Sequence, residues 1–231
     1  MDSKLLRPLT AELVGTALFV FLGAGSVVAN AASNNALGAV GTAAAHGVGM
    51  AILVTMMMPI SGAHLNPAVS FSLWVAQRID ARTLGRYVAA QLVGALIGAL
   101  LVKAFFPAGA ARVTSLGTPQ ISGTLTLFEA IAVEAILTFF LASAVFGTAV
   151  SSQAPKVGGF GIGLAIFVCA LTGGALTGAA MNPARAIGPA IVSWDWHGHA
   201  VYWIGPLLGA AAAGGLWKFL LLPRDASEIA R

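Results

Sequence analysis

Two Asn-Pro-Ala triplets, Asn66-Pro67-Ala68 and Asn182-Pro183-Ala184, carry the clearest chemistry in this sequence. Asn is a strong N-cap. Pro suits the first turn of a helix, where its missing N–H is not needed. Each triplet therefore reads as a helix start. Each opens an apolar stretch, Pro67–Ala76 and Pro183–Ser193. Such a stretch is about 15 Å long as helix, half of a hydrocarbon core. A helix start carries roughly half a positive charge. Two starts meeting at membrane depth repel cations, a proton in transit included. Their Asn amide N–H groups can donate to a passing water oxygen, which orients the water and interrupts a proton wire.

Arg185 follows the second triplet directly. An Arg at membrane depth costs about 2.5–3.5 kcal/mol on insertion scales, and an intramembrane charge points to function. Glu12 and Glu134 lie inside long apolar stretches and are equally costly. They admit two readings: proton coupling, as in a transporter, or acceptors for the backbone of re-entrant loops. His64, two residues before Asn66, either lines an inner vestibule or braces its loop.

These residues need a membrane-embedded frame, and the composition supplies one. The 231 residues are 58% hydrophobic and 9% charged, against about 25% charged in a soluble domain. The 28 glycines suit closely approaching transmembrane helices. Six apolar segments are long enough to span: Leu9–Ala29, Ala36–Met58, Leu84–Phe105, Leu125–Ala149, Gly158–Leu176 and Ala200–Leu222. Glu12 and the length of the first segment favour a span over a signal peptide. With six spans the termini share a side. That side holds Lys4, Arg7, Arg78, Arg82, Arg86, Lys156, Lys218, Arg224 and Arg231, against Lys103 and Arg112 opposite. The bias places both termini in the cytoplasm.

The halves resemble each other. Glu12-x-x-x-Thr16 matches Glu134-x-x-x-Thr138 at an offset of 122, the triplets match at 116, and Gln91-x-x-Gly94 matches Pro206-x-x-Gly209 at 115. Three spans per half make the repeats, about 8–106 and 124–222, inverted within one channel domain spanning 1–231. Inverted repeats place a shared site near the midplane, in transporters as well as channels.

Taken together, Ala11-Glu12-x-x-Gly15-Thr16, Ser61-Gly62-Ala63-His64-Leu65-Asn66-Pro67-Ala68-Val69 and Thr177-Gly178-x-x-Met181-Asn182-Pro183-Ala184-Arg185 resemble the aquaporins of the major intrinsic protein family over essentially the whole chain. The resemblance implies an all-α membrane fold of six transmembrane helices and two re-entrant half-helices, one pore per subunit and a homotetramer. It also implies a microbial type of water channel in a plasma or inner membrane. In the family, the Arg after the second triplet lines the narrowest constriction. Counting back from the triplets places its other members at His46, Ala170 and Ala179, although His46 also reads as a core histidine. The family's narrow water filter has Phe, His and a small residue with the Arg. His46 in the second span and Ala170 in the fifth depart from that pattern and imply a wider opening. Water passes on this reading, with ammonia, hydrogen peroxide, urea or glycerol as further candidates. Ala186, Ala190, Tyr202 and Trp203 resemble the water-channel side of the family rather than the glycerol side.

Trp194, Trp196, Tyr202 and Trp203 read as interfacial anchors. Cys169, the only cysteine, reads as a packing residue, and Thr118 as a further filter contact from the loop Pro107–Gly123. The sequence contains no P-loop, no paired-His metal motif and no nucleophile elbow. The expectation is a channel, not an enzyme, without cofactor, metal or nucleic-acid partner. Its partners are water, small neutral solutes and the bilayer. Two rivals stand beside it: a proton-coupled transporter using Glu12 and Glu134, and a structural membrane protein with a vestigial pore.

Overall fold

The computed structural model describes residues 3–223, so Arg224 and Arg231 of the charge pattern lie outside the described residues. Among the described residues nine α-helices follow one another: α1 Ser3–Ala32, α2 Gly38–Ser61, α3 Pro67–Val75, α4 Ala81–Phe105, α5 Ala108–Val113, α6 Leu127–Val145, α7 Phe160–Thr177, α8 Pro183–Ser193 and α9 Val201–Leu216. Single π turns, Phe146–Val150 and Trp217–Leu221, prolong α6 and α9. With these extensions, α1, α2, α4, α6, α7 and α9 are the six described helices long and apolar enough to cross a membrane. The loop expected after Pro107 is more ordered than its sequence suggests. It folds into α5 and a 3-10 turn at Ser115–Gly117.

Helix ends follow local chemistry. Asp80 starts α4 by accepting from the Thr83 N–H at 2.6 Å. Thr126 starts α6 through a capping box with Glu129, which supplies orphan N–H groups with acceptors on both sides. Gly62 and Gly178 close α2 and α7 in the left-handed region, at φ 86° and 77°. There the chain turns from a full span back into the interior, a conformation that a side chain would strain.

The six spans enclose the two half-helices. α1 packs on α2 and α4, while α6 packs on α7 and α9. The half-helices cross over: α3 packs chiefly against α9 of the second half, and α8 against α4 of the first. Glycines permit these crossings. A Cβ on Gly94 would lie 2.2 Å from the Leu13 carbonyl oxygen, and one on Gly209 2.1 Å from that of Ala135. The same position in each half thus lets a third span touch its neighbour's backbone.

Candidate pore and selectivity filter

Both triplets cap their half-helices as their residue types dictate. Asn66 Oδ1 accepts from the Ala68 N–H at 2.8 Å; Asn182 Oδ1 accepts from the Ala184 and Arg185 N–H groups at 3.0 and 3.2 Å. Pro67 and Pro183 occupy the first turn. The two Asn side chains also knit the half-helices together. Asn66 Nδ2 donates to the Met181 carbonyl and Asn182 Nδ2 to the Leu65 carbonyl, each at 2.9 Å. One N–H of each carboxamide is thus engaged across the junction. The other makes no hydrogen bond among the described residues, and both Asn residues border a small central cavity.

The approach to each triplet is strained in the same way. Ala63 and Leu65 before the first, and Ala179 and Met181 before the second, have φ between 45° and 51°. Such left-handed residues cost roughly 1–2 kcal/mol apiece and persist where surroundings over-determine them. The buried carboxylates do this. Glu12 accepts from the N–H groups of His64 and Leu65 at 2.9 and 2.7 Å, the Ser61 hydroxyl at 2.7 Å and Gln91 Nε2 at 2.8 Å. Glu134 accepts from the N–H groups of Ala180 and Met181 at 2.9 and 2.7 Å and from the Thr177 hydroxyl at 2.6 Å. His64 Nδ1 lies 2.9 Å from the Ser70 hydroxyl, and the residue also borders a cavity that it shares with Met58, Asn66 and Arg78.

Several supporting residues escaped sequence reasoning. Tyr87 OH donates to the Ser61 carbonyl at 2.8 Å, and Tyr202 OH to the Thr177 carbonyl at 2.9 Å. Tyr202 therefore corrects the reading of the aromatic cluster. It is fully buried, whereas Trp194 and Trp196 are exposed. Its spacing from Tyr87 nearly repeats that between the triplets, a signal that marks it as a loop brace. Gln91 bridges Glu12 and Ser70, and its counterpart Pro206 has no side-chain donor, so the repeat is not symmetric here.

The expected filter residues converge. Arg185 is buried, with Nη1 donating to the Gly117 carbonyl at 2.8 Å and Nη2 lying 3.3 Å from His46 Nε2. His46 Nδ1 lies 2.8 Å from the Thr42 carbonyl. A carbonyl only accepts, so Nδ1 bears the proton and Nε2 of the neutral ring offers a lone pair. Ala170 and Ala179 line the central cavity beside His46. Thr118 borders the outer cavity, bonded through its hydroxyl to the Ser115 carbonyl. Asp195 clasps the outer loop by accepting from Gln120 Nε2 at 2.9 Å. The nearby Ser115 hydroxyl is foremost in holding the Asp195 carboxyl below its ordinary pKa.

Three cavities follow one another along this axis. An inner one, so called for lying at the end of the bundle where α1 starts, has about 230 Å³ and is bordered by Met58, His64, Asn66 and Arg78. A central one of about 30 Å³ lies among His46, Ala170, Ala179 and both Asn residues. An outer one of about 450 Å³ opens past Arg185 and Thr118. Met50 and Asn66 border both the inner and central cavities; His46 and Ala170 border both the central and outer ones. The central volume suits roughly one or two waters. Cys169 is buried beside Ala170 but borders none of the three.

Comparison with known proteins agrees with this architecture. The major intrinsic protein family profile matches residues 1–217. A probable aquaporin TIP3-2 of Oryza sativa subsp. japonica is 39% identical over 225 residues, covering 93% of this chain and 82% of the relative. Aquaporin TIP4-4 of Zea mays is 37% identical over 237 residues, covering 98% and 91%. Aquaporin-8 of Mus musculus is 38% identical over 223 residues, covering 93% and 82%. Among solved structures, an aquaglyceroporin from Plasmodium falciparum superposes with a TM-score of 0.83 over 94% of this chain and 97% of its own, a likeness of fold at 22% identity.

Proposed function

The chain belongs to the major intrinsic protein family, whose members are membrane channels and not enzymes, and from that premise we propose that it is a passive channel for water and small neutral solutes. The carrying observation is the cavity series, whose smallest member lies where Asn66, Asn182, His46, Ala170 and Ala179 meet. Two helix starts at this depth, with Arg185 just outside, disfavour cations and protons. Neutral molecules meet donors from the Asn amides and Arg185, while His46 Nε2 faces Arg185 Nη2 at 3.3 Å. Ala170 and Ala179 present only methyl groups, which supports passage of solutes somewhat larger than water, such as ammonia, hydrogen peroxide, urea or glycerol.

The carboxylates favour this reading over proton coupling. Both oxygens of Glu12 and of Glu134 are occupied by loop donors, which suits a static brace. The charge pattern supports termini in the cytoplasm, and the family resemblance supports a cell-membrane location and a homotetramer, the last of which native mass spectrometry would read directly. Stopped-flow measurements on proteoliposomes test the function. Water flux should have a low activation energy and no dependence on a pH gradient. Flux no higher than in protein-free vesicles would overturn the channel reading; exclusion of all four larger solutes would overturn the wide filter alone.

A further inference from the structure

Gly23 belongs to no motif, yet it faces the constriction from α1. A Cβ built on it would lie 2.7 Å from both Cδ2 and Nε2 of His46 and 3.4 Å from Cε1, and these ring atoms are its three nearest neighbours. Non-bonded carbons do not approach that closely, so any side chain here displaces the ring. The ring's retreat is limited. Thr42 holds Nδ1 at 2.8 Å, and Phe19 packs edge-on at a centroid distance of 6.1 Å. The open space that the ring borders is that of the central and outer cavities.

We propose that Gly23 is the positioning residue for His46: the missing side chain on α1 sets where the imidazole stands in the filter, and so how wide the filter opens. The next residue serves the other polar member. Gly117 at φ 73° packs on the Ala24 backbone, where a Cβ would come within 2.5 Å of the Ala24 carbonyl oxygen, and the Gly117 carbonyl receives Arg185 Nη1. One turn of α1 thereby seats both His46 and the loop that holds Arg185. The inference rests on the channel reading above and adds a determinant of its bore.

A cycle of Gly23→Ala, His46→Ala and the double variant tests it, reading water and glycerol flux in proteoliposomes and melting temperature in detergent. Gly23→Ala alone should reduce flux by about tenfold, the cost of one misplaced methylene in a tight pocket, with glycerol falling more than water and the melting temperature dropping. In the His46→Ala background the same change should lower neither flux nor melting temperature, because Ala is the better helix former once the ring is gone. Equal losses in both backgrounds would assign Gly23 to helix packing and overturn the proposal, as would unchanged flux in Gly23→Ala. Should Gly23→Ala fail to fold, the double variant decides. Folding of the double supports the ring clash, and its failure overturns it. A wild-type protein that conducts nothing would sink the channel reading, while the melting-temperature cycle would still report whether Gly23 seats the ring.

Discussion

Arg185 brings a fixed charge into the constriction, and its removal has a calculable consequence. A permeating cation passing about 5 Å from the guanidinium meets roughly 3 kcal/mol of repulsion at an effective dielectric near 20, about two decades in rate. Arg185→Val should therefore raise proton or cation leak by about a hundredfold while water flux persists. A pH-sensitive dye inside proteoliposomes measures this; unchanged leak would assign exclusion wholly to the half-helix starts. Arg185 was legible in the sequence because a charge beside a capped half-span is too costly in lipid to stand there without a role. The Asn caps and the paired carboxylates were legible on the same ground, since each is costly in lipid and recurs at a matching position. The Gly117 carbonyl was not, because a backbone acceptor leaves no mark in residue type. Tyr202 reads as an anchor because an aromatic near a span end is ordinarily one, and only the packing of α9 buries it.

The elements were read more completely than their contacts. Hydropathy located six spans and two half-spans to within a few residues, because in lipid a backbone must bond within its own helix. It gave no account of which helix touches which. That depends on small residues whose individual signal is weak, such as Gly94 of α4 against α1 and Gly209 of α9 against α6. Their equivalence yields a prediction at this scale. Gly94→Ala and Gly209→Ala each drive a methyl into a neighbouring carbonyl and should each cost roughly 1–3 kcal/mol, in the range of core overpacking. Gly215→Ala, where a Cβ meets nothing within 4 Å, should be neutral or stabilising. Thermal melting of detergent-solubilised protein, followed by loss of monodispersity, ranks the three. If all three behave alike, close backbone approach is not what holds these crossings.

At the scale of the molecule, much apolar surface faces outward, including Ile136 at 68% exposure and Phe128 at 85%. A soluble monomer rarely carries so much of it, so this surface belongs against lipid or neighbouring subunits. Hydropathy leaves open which way the bundle points, and there the Lys and Arg bias alone decides. The chain offers a clean test because its one cysteine, Cys169, is 3% exposed and should resist a bulky maleimide. Ser152→Cys lies in the exposed loop between α6 and α7, and Arg112→Cys lies on α5 at the other end of the bundle, both at exposed positions. In intact cells an impermeant maleimide should label Arg112→Cys at once and Ser152→Cys only after permeabilisation. The reverse pattern would invert the channel. The wide cavity beside Arg185 would then face the cytoplasm, and solutes would meet the filter from inside the cell first.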